Sequence, residues 1–240
     1  MNVVTDAPAL PRRFYEAVSV VENDGGFGVA LDARTLRTPG GAVFVSPTRA
    51  LAEACASEWA AQGEQIIPTS MPVSQFAFAT LDWTVKNREQ LVDYVTAFGE
   101  TDLCCHRADA PSDLRAKQAV YWDPIVAWAT ETLGVTLPVV TGIIAARPGP
   151  QMLASLRQHA LALDDFRMTA LSQATGLAGS VLIGLALVRG KLTPDDAFNA
   201  AALDNLWGLE KWGEDDEARA RLVREQAEFQ AIGRFLGALG

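Results

Sequence analysis

Two histidines and three cysteines among 240 residues leave this chain short of the side chains that hold metals or attack carbonyl carbons. The cysteines, Cys55, Cys104 and Cys105, are odd in number and two are adjacent, a spacing that rarely suits disulfide geometry. No C-x-x-C pair occurs, so the thiols read as small core residues of a protein in a reducing cytoplasm. Cys104-Cys105-His106 is the one run with metal-ligand chemistry. Adjacent ligands fit poorly around a single tetrahedral zinc, and His159 would have to arrive from another helix. The chain also lacks G-x-x-x-x-G-K-[ST], H-E-x-x-H and G-x-S-x-G. Gly25-Gly26-Phe27-Gly28 is glycine-rich but sits in a hairpin, not between a strand and a helix. Nothing here calls for a cofactor or a metal.

Positive charge is scarce as well. Lys and Arg number 20 against 29 Asp and Glu, a formal charge of −9. Such a surface repels phosphate backbones and anionic lipid, which excludes nucleic acid and membrane surfaces as expected partners. Met168 to Val188 carries no charge, but its Ser, Thr, Gln and Gly residues dilute it, so it reads as a helix buried in protein rather than in a bilayer. Gly176, Ser180 and Gly184, spaced by four, would place small residues on one helical face. Met1 to Arg13 has neither a signal-peptide apolar run nor the acid-free character of a transit peptide, and the chain reads as cytoplasmic.

What is present is patterned. Tyr15 to Val21, a turn at Asn23-Asp24-Gly25-Gly26, alternating Phe27, Val29 and Leu31, a turn at Asp32, and Ala42 to Val45 describe a small antiparallel sheet. A helix follows, capped by Ser46 with Pro47 at its first position, its buried stripe formed by Leu51, Cys55 and Trp59. Pro68 and Pro72 mark a boundary, giving residues 1–70 as a β-rich N-terminal domain with one helix and 71–240 as a helical domain. Helical periodicity covers Pro72–Thr84, Arg88–Phe98, Ser112–Leu133, Pro150–Ala162, Asp164–Ala174, Leu177–Arg189, Thr193–Trp212 and Glu214–Leu239. Pro124 should kink or break the third of these. The fold class is α+β, a small β-rich part followed by an all-α part.

Three acids stand out. Asp102 and Asp123 lie where helices meet loops, where an acid usually caps or turns. Asp204 falls mid-helix with Ala200, Ala201, Trp207 and Gly208 as its helical neighbours, so a counter-charge has to come from another element or another protein.

Arg12-Arg13-Phe14-Tyr15, Leu31-Asp32-x-Arg34-x-Leu36-Arg37-Thr38-Pro39, Glu58-Trp59, Met71-Pro72, Thr101-Asp102-Leu103, Trp122-Asp123-Pro124 and Leu203-Asp204-x-x-Trp207 followed by Glu210-Lys211-Trp212-Gly213-Glu214-Asp215 form an ordered series. From about Arg12 to Ala218 it resembles the chaperone family that assembles the catalytic sector of F-type ATP synthase by binding its alpha subunit. The resemblance implies a bacterial-type member, a β-rich domain before a helical one, and a protein without enzymatic activity that masks the free alpha subunit before hexamer assembly. The sequence does not fix the oligomeric state, and a monomer is the favoured expectation. Asp204 matches the family's functionally important acid, usually Glu in mitochondrial members. The implied partner-binding residues are Asp204, Trp207 and Glu210. Trp212, of the same hot-spot residue type as Trp207, is assigned to the core. The competing reading is a small-molecule enzyme that uses Asp102, Asp123 or Asp204 as general acid or base, which requires a deep pocket lined by two of them.

Overall fold

The computed structural model describes residues 10–142, 144, 147–213 and 215–240. Strands β1 (Val18–Asn23), β2 (Gly26–Leu31) and β3 (Arg34–Thr35) form an antiparallel sheet in chain order. Asn23 pairs with Gly26 across a turn in which Gly25 takes φ 92°. The next turn places a non-glycine residue, Asp32, at φ 53°. Its carboxylate accepts the N–H groups of Glu16 and Ala17 at 3.1 and 2.8 Å, and these bonds hold its pKa below the usual carboxylate value. The strand expected at Ala42–Val45 is reduced to isolated bridges, Arg37 with Val43 and Phe27 with Ser46.

Helix α1 (Arg49–Ala60) begins two residues later than expected. Ser46 exchanges both backbone hydrogen bonds with Phe27 and cannot also turn into a helix, so Thr48 caps instead, its hydroxyl accepting the Leu51 N–H at 3.2 Å. Leu51, Cys55 and Trp59 are buried against the sheet. The early Arg-Arg-Phe-Tyr run closes the far end of the same helix. Arg13 donates to the carbonyls of Ala60 and Gln62 at 3.3 and 2.5 Å, and the Tyr15 hydroxyl donates to the Trp59 carbonyl at 2.7 Å.

Helix α2 (Pro72–Ala79) starts without a side-chain cap from its own flank. Glu58 of α1 supplies one from across the core, accepting the N–H groups of Val73 and Ser74 at 2.9 and 2.8 Å. Glu58→Ala is therefore expected to cost about 1–2 kcal/mol in urea unfolding, with Glu58→Gln recovering part of it; an unchanged midpoint in the alanine variant would remove this role. The chain then enters a π-helical turn at Thr80–Thr84. The hydroxyls of Thr80 and Thr84 both meet Thr169 at 2.8 and 2.7 Å, while Asp82 holds the Thr38 hydroxyl and the Gly40 N–H.

The rest is helical: α3 (Arg88–Ala97), α4 (Ser112–Leu133), α5 (Pro150–Leu161), α6 (Asp165–Ala178), α7 (Val181–Val188), α8 (Pro194–Ala201), α9 (Leu203–Trp212) and α10 (Asp216–Leu239). Two short strands, β4 (His106–Arg107) and β5 (Val140–Thr141), pair in parallel. Of the kink or break expected at Pro124, the break does not occur: Pro124 lies inside α4, which runs from Ser112 to Leu133. The α6–α7 break falls at Gly179, φ 64°, with Ser180 capping α7. That break separates the three small residues thought to share one face: Gly176 meets Tyr94 of α3, whereas Gly184 meets Thr175 of α6. Every residue from Val181 to Leu187 is buried, which explains the uncharged stretch, and no helix among the described residues is long and apolar enough to cross a membrane.

The apolar core is continuous from Tyr15 and Val29 through α7 to Phe235 and Leu239. Helix α10 runs back to the sheet end of the molecule, where Thr48 donates to the Ala238 carbonyl at 2.6 Å and Phe76 packs on Phe235.

Candidate docking site on α9

The segment Thr193–Trp212 is two helices, not one. Thr193 and Asp196 form a reciprocal capping box at the start of α8. At its end the Trp122 indole N–H takes the Ala200 carbonyl at 2.8 Å, and Ala202 leaves the helical path. Asp204 consequently stands in the first turn of α9 rather than mid-helix, where the helix dipole favours an acid.

Asp204 is exposed, and its Oδ1 accepts the side-chain N–H of Gln118 at 2.9 Å. Gln118 is 2% exposed, and its own Oε1 accepts the Ala108 N–H at 2.8 Å, which fixes the direction of the amide. The nearby lysines serve other acids. Lys117 pairs with Glu210, and Lys211 with Asp113 at 2.8 Å; each lysine holds its partner's pKa down through a side-chain hydrogen bond. Among the described residues the Asp204 carboxylate thus meets a neutral amide and no cation.

Of the two tryptophans, the buried one is Trp207 and not Trp212. Trp207 is 6% exposed, while Trp212, assigned to the core, is 81% exposed. Trp212 is the last residue of α9, ahead of Gly213 at φ 96°, and its ring meets Trp207 edge-on at 5.3 Å. It also lies over Gly208, where an added Cβ would sit 3.3 Å from the indole. The Trp207 Nε1 is buried without a hydrogen-bond partner among the described residues. A groove of about 400 Å3 opens between Asp204, Asn205, Gly208, Trp212 and Asp215. Glu214, part of the same motif, lies outside the described residues, as does the N-terminal stretch up to Ala9. Glu210 is on the exposed side of α9.

The other motif acids are engaged inside the chain. Asp102 is 1% exposed and accepts from the Ser180 hydroxyl at 2.7 Å, the Cys104 N–H at 3.0 Å and the Leu182 N–H at 3.1 Å; burial pushes its pKa up to about 6. Asp123, expected at a helix boundary, lies within α4 and pairs at 2.6 Å with Arg107, itself buried against the Trp122 ring. Neither lines the groove at Asp204, so the paired-carboxylate pocket required by the enzyme reading does not form there. Burial pushes the thiols of Cys55 and Cys105 up to about 12, leaving them protonated at neutral pH. Among the described residues no three His, Cys, Asp or Glu side chains are placed to hold a metal ion. Gln118, which orients Asp204, was missed from sequence. Its signal was there: a polar residue on the buried stripe Gln118, Trp122, Ile125, Ala129 and Leu133 of α4.

Comparison with known proteins shows the family. The profile of the ATP12 chaperone protein matches residues 12–130. The crystal structure of Atp12 from Paracoccus denitrificans is 36% identical and superposes with a TM-score of 0.91 over 96% of this chain and 99% of that one. The chain belongs to the ATP12 chaperone family. A crystal structure of a variant of the Paracoccus protein in which lysine replaces an aspartate is similar at the same TM-score of 0.91, 35% identical over 96% of this chain and 98% of that one. The mitochondrial protein atp12 of Schizosaccharomyces pombe is 22% identical, over 86% of this chain and 75% of that protein. The motif series therefore marks an ATP12-type assembly chaperone of ATP synthase with the α+β fold expected of it.

Proposed function

We propose that this ATP12 family member captures the free alpha subunit of the ATP synthase catalytic sector and covers the surface its neighbours later occupy. An alpha subunit made before those neighbours exposes apolar patches that invite aggregation. Masking them takes shape, apolar area and a few polar anchors, and needs neither nucleophile nor metal. The observation that carries this reading is the Asp204 carboxylate, exposed and held by the neutral Gln118 amide beside the open indole of Trp212. Asp204 is the anchor, Trp212 the apolar platform and Glu210 a rim charge. Trp207 backs the platform from beneath, since its ring is buried.

The test is co-purification. Tagged protein from cells that express the ATP synthase subunits should bring down alpha subunit in roughly equal amount, and should be absent from the finished enzyme complex. No alpha subunit where it is abundant, or retention of this chain in the mature complex, refutes the proposal.

A further inference from the structure

A second groove, of about 540 Å3, lies away from Asp204, between the π-helical turn, α3, α6 and α10. Two open aromatic rings wall it, Trp83 at 48% and Tyr94 at 46% exposure. Trp83 is held outward by the π-helical turn, whose register the three threonine hydroxyls and Asp82 fix; π-turns recur at functional sites. Gly176 keeps the opposite wall low, since a Cβ there would come within 2.7 Å of the Tyr94 hydroxyl. Gln90 and Gln173 contribute amides, and the single charged residue in the lining is Glu228, whose carboxylate has no hydrogen bond or ion pair among the described residues.

One uncompensated acid between aromatic faces and amides is complementary to a guanidinium, which can stack on the rings while its N–H groups reach the carboxylate and amide oxygens. An anionic ligand would find no cation in this lining. Beyond Tyr94 the surface continues into an apolar concavity of about 320 Å3, floored by Ala97 and Phe98. We propose that this groove docks a polypeptide segment of the client in which an arginine neighbours an apolar residue: the arginine enters between Trp83 and Tyr94 against Glu228, and the apolar side chain takes the concavity beyond. The inference does not rest on Asp204.

The probe is a dye-labelled, amidated Ala-Leu-Arg-Leu-Ala peptide, with a citrulline counterpart, read by fluorescence anisotropy. The arginine peptide should bind about ten-fold more tightly than the citrulline one, and Glu228→Gln should erase that difference. Gly176→Ala should weaken both peptides by displacing Tyr94 without lowering the thermal midpoint, because alanine is the better helix former. Asp204→Lys should leave peptide binding unchanged, so failure here is distinct from failure of the alpha-subunit reading. Equal binding of both peptides, or no binding of the arginine peptide at millimolar concentration, overturns the proposal. Self-association abolished by Glu228→Lys overturns it too, by showing a second copy in the groove.

Discussion

Asp204→Lys should weaken capture of the alpha subunit by about thirty-fold or more while leaving a folded protein, if the acid meets a cation on its partner. The stability side is small because the side chain is exposed and its one hydrogen bond among the described residues is to a neutral amide. Losing that bond costs about 1 kcal/mol, and a lysine in the first turn of α9 opposes the helix dipole by another ~0.5 kcal/mol. Capture is different, since reversing a charge at a desolvated contact removes an attraction and adds a repulsion. Asp204→Asn keeps the acceptor for Gln118 and removes only the charge, so it should fall between wild type and the lysine variant in affinity while staying within about 0.5 kcal/mol of wild type in unfolding. Gln118→Ala leaves the charge but frees its direction, and a loss of affinity there would show that the aim of the carboxylate matters. Unchanged capture by the lysine variant, at unchanged secondary structure by circular dichroism, would exclude Asp204 as the anchor.

How legible this site was depends on whether the deciding interaction is local. The limits of α4 could be read from the sequence because Pro111 and Gly134 bracket it, and the start of α8 because Thr193-Pro194-Asp195-Asp196 carries its cap within four residues. The break at Ala202 could not be read, because no proline or glycine marks it. It coincides with the Trp122 indole taking a carbonyl from a helix far away in sequence, and it is what moves Asp204 to a helix N-terminus. The cap of α1 slipped from Ser46 to Thr48 for a similar reason, a strand bridge to Phe27. Trp212 was misplaced because periodicity does not say that α9 ends on that residue with its ring lying over Gly208. The motif acids also separate once folded. Asp32, Glu58 and Asp102 spend their oxygens on backbone N–H groups, Asp123 and Glu210 on cations, and Asp204 on an amide. Sequence order could group these acids but not divide them, since burial and partner are tertiary properties.

Asp102 shows the opposite energetics. Its two oxygens gather the Ser180 hydroxyl and the Cys104 and Leu182 N–H groups at the start of α7, the most buried helix of the fold. Asp102→Ala strands all three donors in a dry interior and is expected to cost about 3–5 kcal/mol, a large share of the stability of an ordinary domain. The charge itself carries a further, pH-dependent signature. Burial raises the carboxyl from 3.8 to about 6, so between those values the folded chain binds a proton that the unfolded chain has released. This group's contribution to stability is therefore greatest below pH 4, falls as pH rises through 6, and is constant above it, a span of about 3 kcal/mol. Acidification from pH 8 to pH 5 should recover about 1–2 kcal/mol of that span, because the exposed acids with lowered pKa values, Asp32, Asp113 and Glu210, weaken the fold only at lower pH still. Asp102→Asn keeps the shape, removes the titration and should flatten the profile over this range, although its amide N–H groups now face the Leu182 N–H. Urea unfolding at a series of pH values decides the matter: a wild-type profile that is flat from pH 8 to pH 5, or one that the asparagine variant reproduces, would mean that the proton on Asp102 plays no part in holding α7 in place.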